Sequence, residues 1–422
     1  MMCIWKLLKN LISKMAKVII SFLGTGGYSD RESKCRGEYR ETTYFIDNKE
    51  YINSFVSDVL FKHYEAEKII YIGTLKSMWD VVYDTYVDTP NDEVWENIAE
   101  SINSFNHQTD LSKGNDIIKS FDKTIICPIL IRYGLNNQEN EENIKQLFEI
   151  EKLLNSGDEI LIDITHGFRS MPIVLVGVLN FIIENFKKKI KISKISYGMF
   201  EISHEMEGRT PIVDLDVLLE LQANAKASHE FSEYGNAYIY SELVKDVDAS
   251  MSRILLDLSF AKSLNHLTKL KGLISQLKGL KYEKLSEIQK LTIPRIVGNF
   301  LNRFKGSSDN SQYQFEIAHW MFDNKQYGYS YIILAESIIT KTVENLIKNN
   351  HPEIEKIKKD KEKRDFAKII LKKEDIYIST IYEKVNRRRI SVAHAKESGK
   401  SLKESVQELN QALKDVKGFI YR

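Results

Sequence analysis

Residues 159–179 read EILIDITHGFRSMPIVLVGVL. An apolar run from Ile160 to Ile164 is broken by one acid, Asp163. A polar knot follows, Thr165, His166, Gly167, Phe168, Arg169 and Ser170, and then Met171 and Pro172 open a second apolar run. A short β-type run, a glycine-bearing turn and a helix start predict a strand–loop–helix corner. In open α/β sheets such corners sit at the carboxyl ends of strands, where ligands bind. Ser170 is placed to cap the helix, and Pro172 suits a first helical turn, where its missing N–H costs nothing. The free N–H groups there, with Arg169 beside them, predict a site for a phosphate-bearing ligand. The competing expectation is a buried strand and a turn that satisfies only itself.

The pattern spreads outward from that corner. Residues 17–23 (KVIISFL) read as a buried strand ending in Gly24-Thr25-Gly26-Gly27, and residues 67–73 (EKIIYIG) as a second one ending in Thr74. Further strand patterns lie at 40–46, 123–131, 160–164 and 191–198. Helical spacing appears at 50–63, 76–86, 91–105, 141–154 and 172–186. This alternation predicts a Rossmann-like domain over residues 15–213, with a mostly parallel sheet and helices on both faces. Beyond it strand patterns largely stop. Helical patterns at 213–247, 253–277, 281–304, 327–348, 378–396 and 401–419 predict an all-α region over residues 214–422. The stretch KGSSDNS, 305–311, reads as an exposed loop, and 351–363 as a charged connection or solvated helix face.

Bulk properties exclude some classes. A chain of 422 residues with 43% hydrophobic content can bury a sizeable core in two or three domains. The net charge of +1 gives no overall pull toward nucleic acid or membrane, although 341–422 is rich in Lys and Arg. Cys3, Cys35 and Cys127 have no metal-ligand spacing, which predicts free thiols in a reducing compartment, the cytoplasm. The longest apolar stretch, 171–183, falls short of the roughly 20 residues that span a bilayer. The basic, amphipathic start MMCIWKLLKNLISK has no small-residue cleavage site, so no signal peptide is expected. A start at Met15 would open directly on the first strand, so residues 1–14 read as an upstream extension. A helix lying on a membrane surface is the alternative for them.

The glycines after the first strand invite a dinucleotide-binding reading, with Asp47 at a suitable distance. The third glycine of that fingerprint is replaced by Ser29, and the charged stretch that follows does not open a helix. What survives is that Gly24 and Gly26 let backbone approach a ligand closely. Gly24-Thr25-Gly26, Gly73-Thr74 and Thr165 to Ser170 would line one sheet edge with hydroxyls, N–H groups and an arginine. Such a set suits phosphate, ribose and base edges. It calls for no cofactor and no metal, and no His or Cys cluster with ligand spacing is present.

A second centre is NRRRISVAHAK, residues 386–396. Arg389 and His394 are separated by four residues. Histidine moves protons near neutral pH, and arginine holds a phosphate and stabilises charge developing on it. The pair suits metal-independent RNA cleavage by attack of a ribose 2′-OH on the adjacent phosphate. On a straight helix five positions span about 500°, which leaves the two side chains about 140° apart. The helix must therefore start or bend there, or the arginine must reach round. Arg387 and Arg388 are rivals for the arginine's role. Glu336 is a candidate to brace Arg389 by an ion pair, with a solvated face as the alternative. The bland reading of the segment is a basic helix with a packed histidine. Histidines 63, 107, 204, 229, 266, 319 and 351 have no partner pattern.

Taken together, DITHGFRS at the end of a Rossmann-type strand and an N-terminal LGTG resemble the CARF ligand-sensing domain of CRISPR-associated proteins. Arg-x4-His near the end of an all-α half resembles the HEPN ribonuclease domain. The order matches the CARF–HEPN effectors of type III CRISPR systems. The resemblance implies a homodimer whose two sensor domains share one pocket for a cyclic oligoadenylate of four or six units. It implies that this ring activates antiviral cleavage of single-stranded RNA to 2′,3′-cyclic phosphate and 5′-hydroxyl ends. Gly24, Thr25, Gly26, Thr165, His166, Gly167, Phe168 and Arg169 match the family's ligand-lining motifs. Thr74 and Ser170 join them from the reading of the strand ends. Arg389 and His394 map to the nuclease pair, one of each from either protomer. Some sensors of this family also cleave their own activator slowly, and Thr165 and His166 are the candidates here. The rival expectation is a non-enzymatic regulator, the same sensor joined to a helix-turn-helix within residues 253–304. A nucleotide-binding oxidoreductase is the third.

Overall fold

The computed structural model describes residues 16–26, 41–87, 89–186, 188–394 and 401–422. The expectations for residues 1–15, Gly27, Ser29, Cys3, Cys35, Arg40 and the helix end at 395–396 lie outside them. Eight strands form one sheet: β1 (Lys17–Leu23), β2 (Thr42–Ile46), β3 (Lys49–Asn53), β4 (Lys68–Gly73), β5 (Ile126–Leu130), β6 (Glu159–Asp163), β7 (Lys191–Gly198) and β8 (Arg209–Asp214). Their spatial order is β3-β2-β8-β7-β6-β1-β4-β5. The run from β7 to β5 is wholly parallel, and so is the pairing of β2 with β8. Only β7 with β8 and β2 with β3 pair antiparallel among the described residues. The mostly parallel α/β half followed by a helical half is the architecture expected from the sequence.

The apolar continuity of the central strands has a direct cause. Parallel strands covered on both faces have no solvent side, so their residues do not alternate with polar ones. Along β1, Ile19 and Leu23 enter one core with Tyr71, Trp79 and Leu161. Val18, Ile20 and Phe22 enter the other with Ile70, Ile162 and Leu175. The chain moves from β1 through β4 to β5, then returns to the far side of β1 for β6 and β7. Strand order therefore reverses between β1 and β6. Their carboxyl ends, at Leu23 and Asp163, open the crevice where ligands bind in such sheets.

Several local expectations need correction. Residues 50–63 are not one helix. Asp47 and Asn48 both take positive φ (48° and 62°) and turn β2 into β3, and the helix spans only Val56–His63. Two successive left-handed residues make the tight turn that matches hairpin twist, and this outweighs the helical spacing. The helix expected at 213–247 is divided into Asp216–Tyr234 and Tyr238–Val244, with Gly235 at φ +64° between them. The one expected at 253–277 is divided into Ala249–Ser263 and Leu267–Leu277 around Asn265 at φ +52°. The helix expected at 141–154 begins earlier, at Asn137, because the Asn136 side chain accepts from the Glu139 N–H. Strand β8 and the helices Asn310–Asp323 and Asp360–Glu374 were not legible in the pattern.

The chain divides into two compact units after Leu219. The second unit is helical and has a single core that includes Phe231, Leu258, Trp320, Leu334, Ile338, Val385 and Leu413. The helix Tyr327–Lys348 contributes more buried residues than any other described helix of this unit and carries the side chains that matter below. No helix among the described residues is long and apolar enough to cross a membrane.

Candidate functional site

The corner after β6 hangs from one buried carboxylate. Asp163 is fully buried. Its Oδ2 accepts from Ser21 Oγ on β1 (2.7 Å), and its Oδ1 accepts from the N–H and Oγ1 of Thr165 (2.9 and 2.6 Å). Thr165 Oγ1 accepts in turn from the Gly198 N–H at the end of β7 (2.8 Å). Three adjacent strands are thus tied together at their carboxyl ends, and a buried acid finds the donors that it requires. The Thr165 hydroxyl is committed to this network. His166 follows, half-buried; burial pulls its imidazole below the usual histidine value, against the opposing charge of Asp163.

Gly167 takes φ +92°, and a Cβ there would stand 2.8 Å from the Phe22 Cβ. The turn therefore admits no side chain, which lets its backbone close over β1. Phe168 is 36% exposed and packs against Tyr133 with ring centroids 5.3 Å apart. Arg169 is exposed, and its positive charge acts on Glu201 and Tyr197. Tyr197 donates its phenol proton to Glu201 Oε1 (2.6 Å). Burial and that carboxylate push the phenol up to about 12. The hydrogen bond from Tyr197, with a backbone bond and the charge of Arg169, holds Glu201 below the usual carboxylate range.

Ser170 departs from expectation. It occupies the N-cap position of the helix Met171–Asn185, but its backbone is already helical (φ −74°, ψ −31°) and its side chain makes no capping bond. A capping side chain reaches the N2 or N3 N–H from an extended backbone, which Ser170 lacks. The Met171 N–H is satisfied by the Phe168 carbonyl instead (2.9 Å). Pro172 does lie in the first turn.

A cavity of about 140 Å³ sits at the switch point, lined by Phe22, Gly24, Thr25, Thr74, Gly167 and Phe168 among others. It brings together five residues that the sequence placed at the sensor site. Gly26, Thr165, His166, Arg169 and Ser170 do not line it; Gly26 lies one residue beyond, at φ +71°. The floor was not legible in the sequence. Ser77 donates to the Leu23 carbonyl (2.7 Å) and accepts from the Thr74 N–H (2.9 Å), closing the turn after β4 onto the end of β1. The dinucleotide alternative fails on topology. Asp47 lies in the β2–β3 turn at the far edge of the sheet, bound to His63 Nε2 (3.1 Å).

In the helical unit, Arg389 and His394 lie at the end of the helix Ile376–Ala393. The helix stops between them: Ala393 is its last residue, and His394 leaves it with φ −109° and ψ 10°, exposed to solvent. Its N–H still bonds the Ile390 carbonyl (3.0 Å), so His394 keeps its place on the helical turn and the structure does not bring it to Arg389 within one chain. Arg389 Nη1 donates to Glu336 Oε1 (3.0 Å), the ion pair foreseen from the sequence. Glu336 Oε2 accepts from Arg364 as well, on the helix Asp360–Glu374. Arg364 was not foreseen, because a contact across 28 positions leaves no local pattern. Arg388 is 7% exposed and paired with Glu408 (3.3 Å) on the helix Leu402–Ile420, so it braces packing. Arg387 points to solvent. One carboxylate shared by two guanidinium groups leaves an excess of positive charge there, and the same helix ends in an exposed imidazole. That combination can hold a phosphate and move a proton.

Parts of both units are similar to known proteins. Residues 18–200 match the family model described as the CARF domain of the CRISPR system endoribonuclease Csx1. Residues 220–310 match the second domain of the CRISPR-associated protein MJ1674. The CRISPR-associated protein MJ1674 of Methanocaldococcus jannaschii is 31% identical over 349 residues, covering 78% of this chain and 54% of that protein. The chain thus spans about half the length of that relative. Among solved structures, Enterococcus italicus Csm6 bound to cyclic hexa-2′-fluoro-hexa-dAMP is similar with a TM-score of 0.39 at 13% identity. That match covers 96% of this chain and 94% of Csm6.

Proposed function

We propose that this chain, with its CARF domain, is a CRISPR-associated endoribonuclease switched on by a cyclic oligoadenylate. The observation that carries the reading is the cavity at the β1–β6 switch point, where Gly24, Thr25, Thr74, Gly167 and Phe168 converge. Backbone N–H groups, hydroxyls and an aromatic face suit phosphate, ribose and base in that order. A cavity of about 140 Å³ takes one edge of such a ring rather than the whole of it. The ring then lies across the twofold axis of a homodimer, with each protomer supplying one corner. The helix that follows the corner leaves Ile173 78% and Phe181 50% exposed, an apolar face that a second copy would cover.

The helical unit, in this reading, is a HEPN-type nuclease. His394 takes the proton from the attacking 2′-OH, or supplies one to the departing 5′-oxygen. Arg389, oriented by Glu336, stabilises the charge that develops on the phosphate. The products are a 2′,3′-cyclic phosphate and a 5′-hydroxyl from single-stranded RNA, and the proton transfer needs no metal. In the composite site each protomer supplies one Arg389 and one His394. Slow cleavage of the bound ring falls to His166, since the Thr165 hydroxyl is held by Asp163 and Gly198. Burial favours the neutral imidazole that such a base requires.

The test is RNA cleavage by the full chain in EDTA, with cyclic tetra-adenylate, with cyclic hexa-adenylate and with neither, beside His394→Ala. Cleavage that requires one ring and His394 upholds the reading and fixes ring size. Ring binding without cleavage would replace it by the non-enzymatic regulator. No binding and no cleavage would overturn the sensor assignment as well.

A further inference from the structure

The helical unit holds a second cavity, of about 500 Å³, unrelated to the Arg389–His394 pair. It lies between the first turn of the helix Asn310–Asp323 and one face of the helix Tyr327–Lys348. Lys341, Glu344, Asn345 and Lys348 form that face, at the i, i+3, i+4 and i+7 spacing of a single helical stripe. Lys271 and Arg422 complete the rim. Lys341 is five positions from Glu336, about 140° round the same helix, so this stripe looks away from the nuclease pair.

The telling residue is Lys341. It is only 4% exposed and lines the cavity. Among the described residues no hydrogen-bond acceptor or carboxylate meets its ammonium group. Its stem is buried while the ammonium opens into the cavity, where an anion can reach it. The nearby carboxylate does not serve, because Glu344 is turned to Ser311: Oε1 accepts from the Ser311 N–H (3.1 Å) and Oε2 from its hydroxyl (2.5 Å). Lys271 is fixed at the rim by a bond to Asn310 Oδ1 (2.7 Å), with its Nζ 4.8 Å from the Tyr313 ring centroid. Four cationic side chains (Lys271, Lys341, Lys348 and Arg422) face two carboxylates, Asp309 and Glu344. The lining thus carries surplus positive charge, and of the four cations only Lys271 is tied to a neighbour.

We propose that this cavity binds the phosphate group of a nucleotide, and that its occupant is a backbone phosphate of the RNA strand away from the cleaved bond. Its volume admits a nucleotide-sized group, and its ammonium groups are suited to a phosphate as point charges. The identity of the strand rests on the ribonuclease reading; the phosphate site does not.

The experiment uses the full chain carrying His394→Ala, so that RNA stays whole. Binding of a short fluorescent oligoribonucleotide is followed by anisotropy across a salt series, with adenosine monophosphate tested separately by calorimetry. Lys341→Met should weaken RNA binding about tenfold and lower the salt slope by about one phosphate contact. Lys271→Met, a change at a half-buried rim position, should weaken it in the same direction by less, which decides the matter even if Lys341→Met does not fold. Loss of adenosine monophosphate binding with RNA binding unchanged would assign the phosphate to a free nucleotide and overturn the strand. Unchanged binding of both probes in both variants would overturn the site. A wild-type chain that cuts no RNA but binds nucleotide through Lys341 would remove the ribonuclease reading and leave this site standing.

Discussion

At the corner after β6, the side chains that matter are suspended from buried backbone. Asp163 is sealed from solvent, holds Ser21 and Thr165, and passes the linkage through Thr165 to Gly198. At the end of the helix Ile376–Ala393 the arrangement is reversed. His394 stands in solvent at the last turn, and Arg389 is half-exposed, steadied by one ion pair. The first region is finished within one chain, down to a glycine that leaves no room for a methyl group. The second has Arg389 and His394, the groups proposed to hold phosphate and move a proton, with little enclosing them. A binding corner must be shaped before its ligand arrives. In the proposed reading, a nuclease centre that is to be silent until signalled can be left open and completed by a second copy.

Replacing His394 by Ala breaks the second region alone. RNA cleavage should fall about a thousandfold, within the range for loss of a general acid–base group, while ring binding measured by calorimetry stays unchanged. Replacing Asp163 by Ala breaks the first. It strands three buried donors and should cost about 3 kcal/mol in urea unfolding, with ring binding lost alongside. Glu336→Gln sharpens the contrast: kcat should drop about tenfold, a change of ~1.4 kcal/mol, with unfolding nearly unmoved because the pair is partly exposed.

The pH dependence of stability should separate the regions next. The folded pKa of His166 lies below its ordinary value of 6.5. The unfolded chain therefore binds a proton below that pH while the folded chain does not. Stability is fully present above pH 6.5 and declines as pH falls toward the folded value. His166→Gln should flatten this limb in a urea midpoint series taken downward from neutral pH. The smallest effect belongs to Ser170→Ala. With no capping bond to lose, its unfolding free energy should stay within about 0.5 kcal/mol of wild type. A loss near 1 kcal/mol would show that the serine caps the helix after all.

Much of the sensor corner was legible because its elements are local. KVIISFL, EKIIYIG and EILID are buried on both faces and read as strands without help from the rest of the chain. Gly167 and Pro172 announce their conformations by residue type. What stayed hidden is either long-range or a matter of detail. Ser77 closes the cavity floor across 54 positions, and Arg364 reaches Glu336 across 28. Neither contact has a period for a sequence pattern to reveal. Ser170 misled because its residue type is right for a cap while its backbone is not. The single acid of β6 was visible, and its meaning was within reach: a carboxylate inside an apolar strand must find donors, and Ser21 and Thr165 are the hydroxyls that flank it.

The shared carboxylate of Glu336 has a consequence that lies in entropy rather than charge. A free arginine side chain carries about 2 kcal/mol of rotamer freedom, which is surrendered when it grips a ligand. Arg389 surrenders much of it on folding, when one of its five N–H groups is fastened to Glu336. The others remain available with the guanidinium plane already oriented. If Arg389 acts as proposed, an incoming phosphate meets a group whose disorder has been removed in advance, so more of the contact is left to act on the transition state.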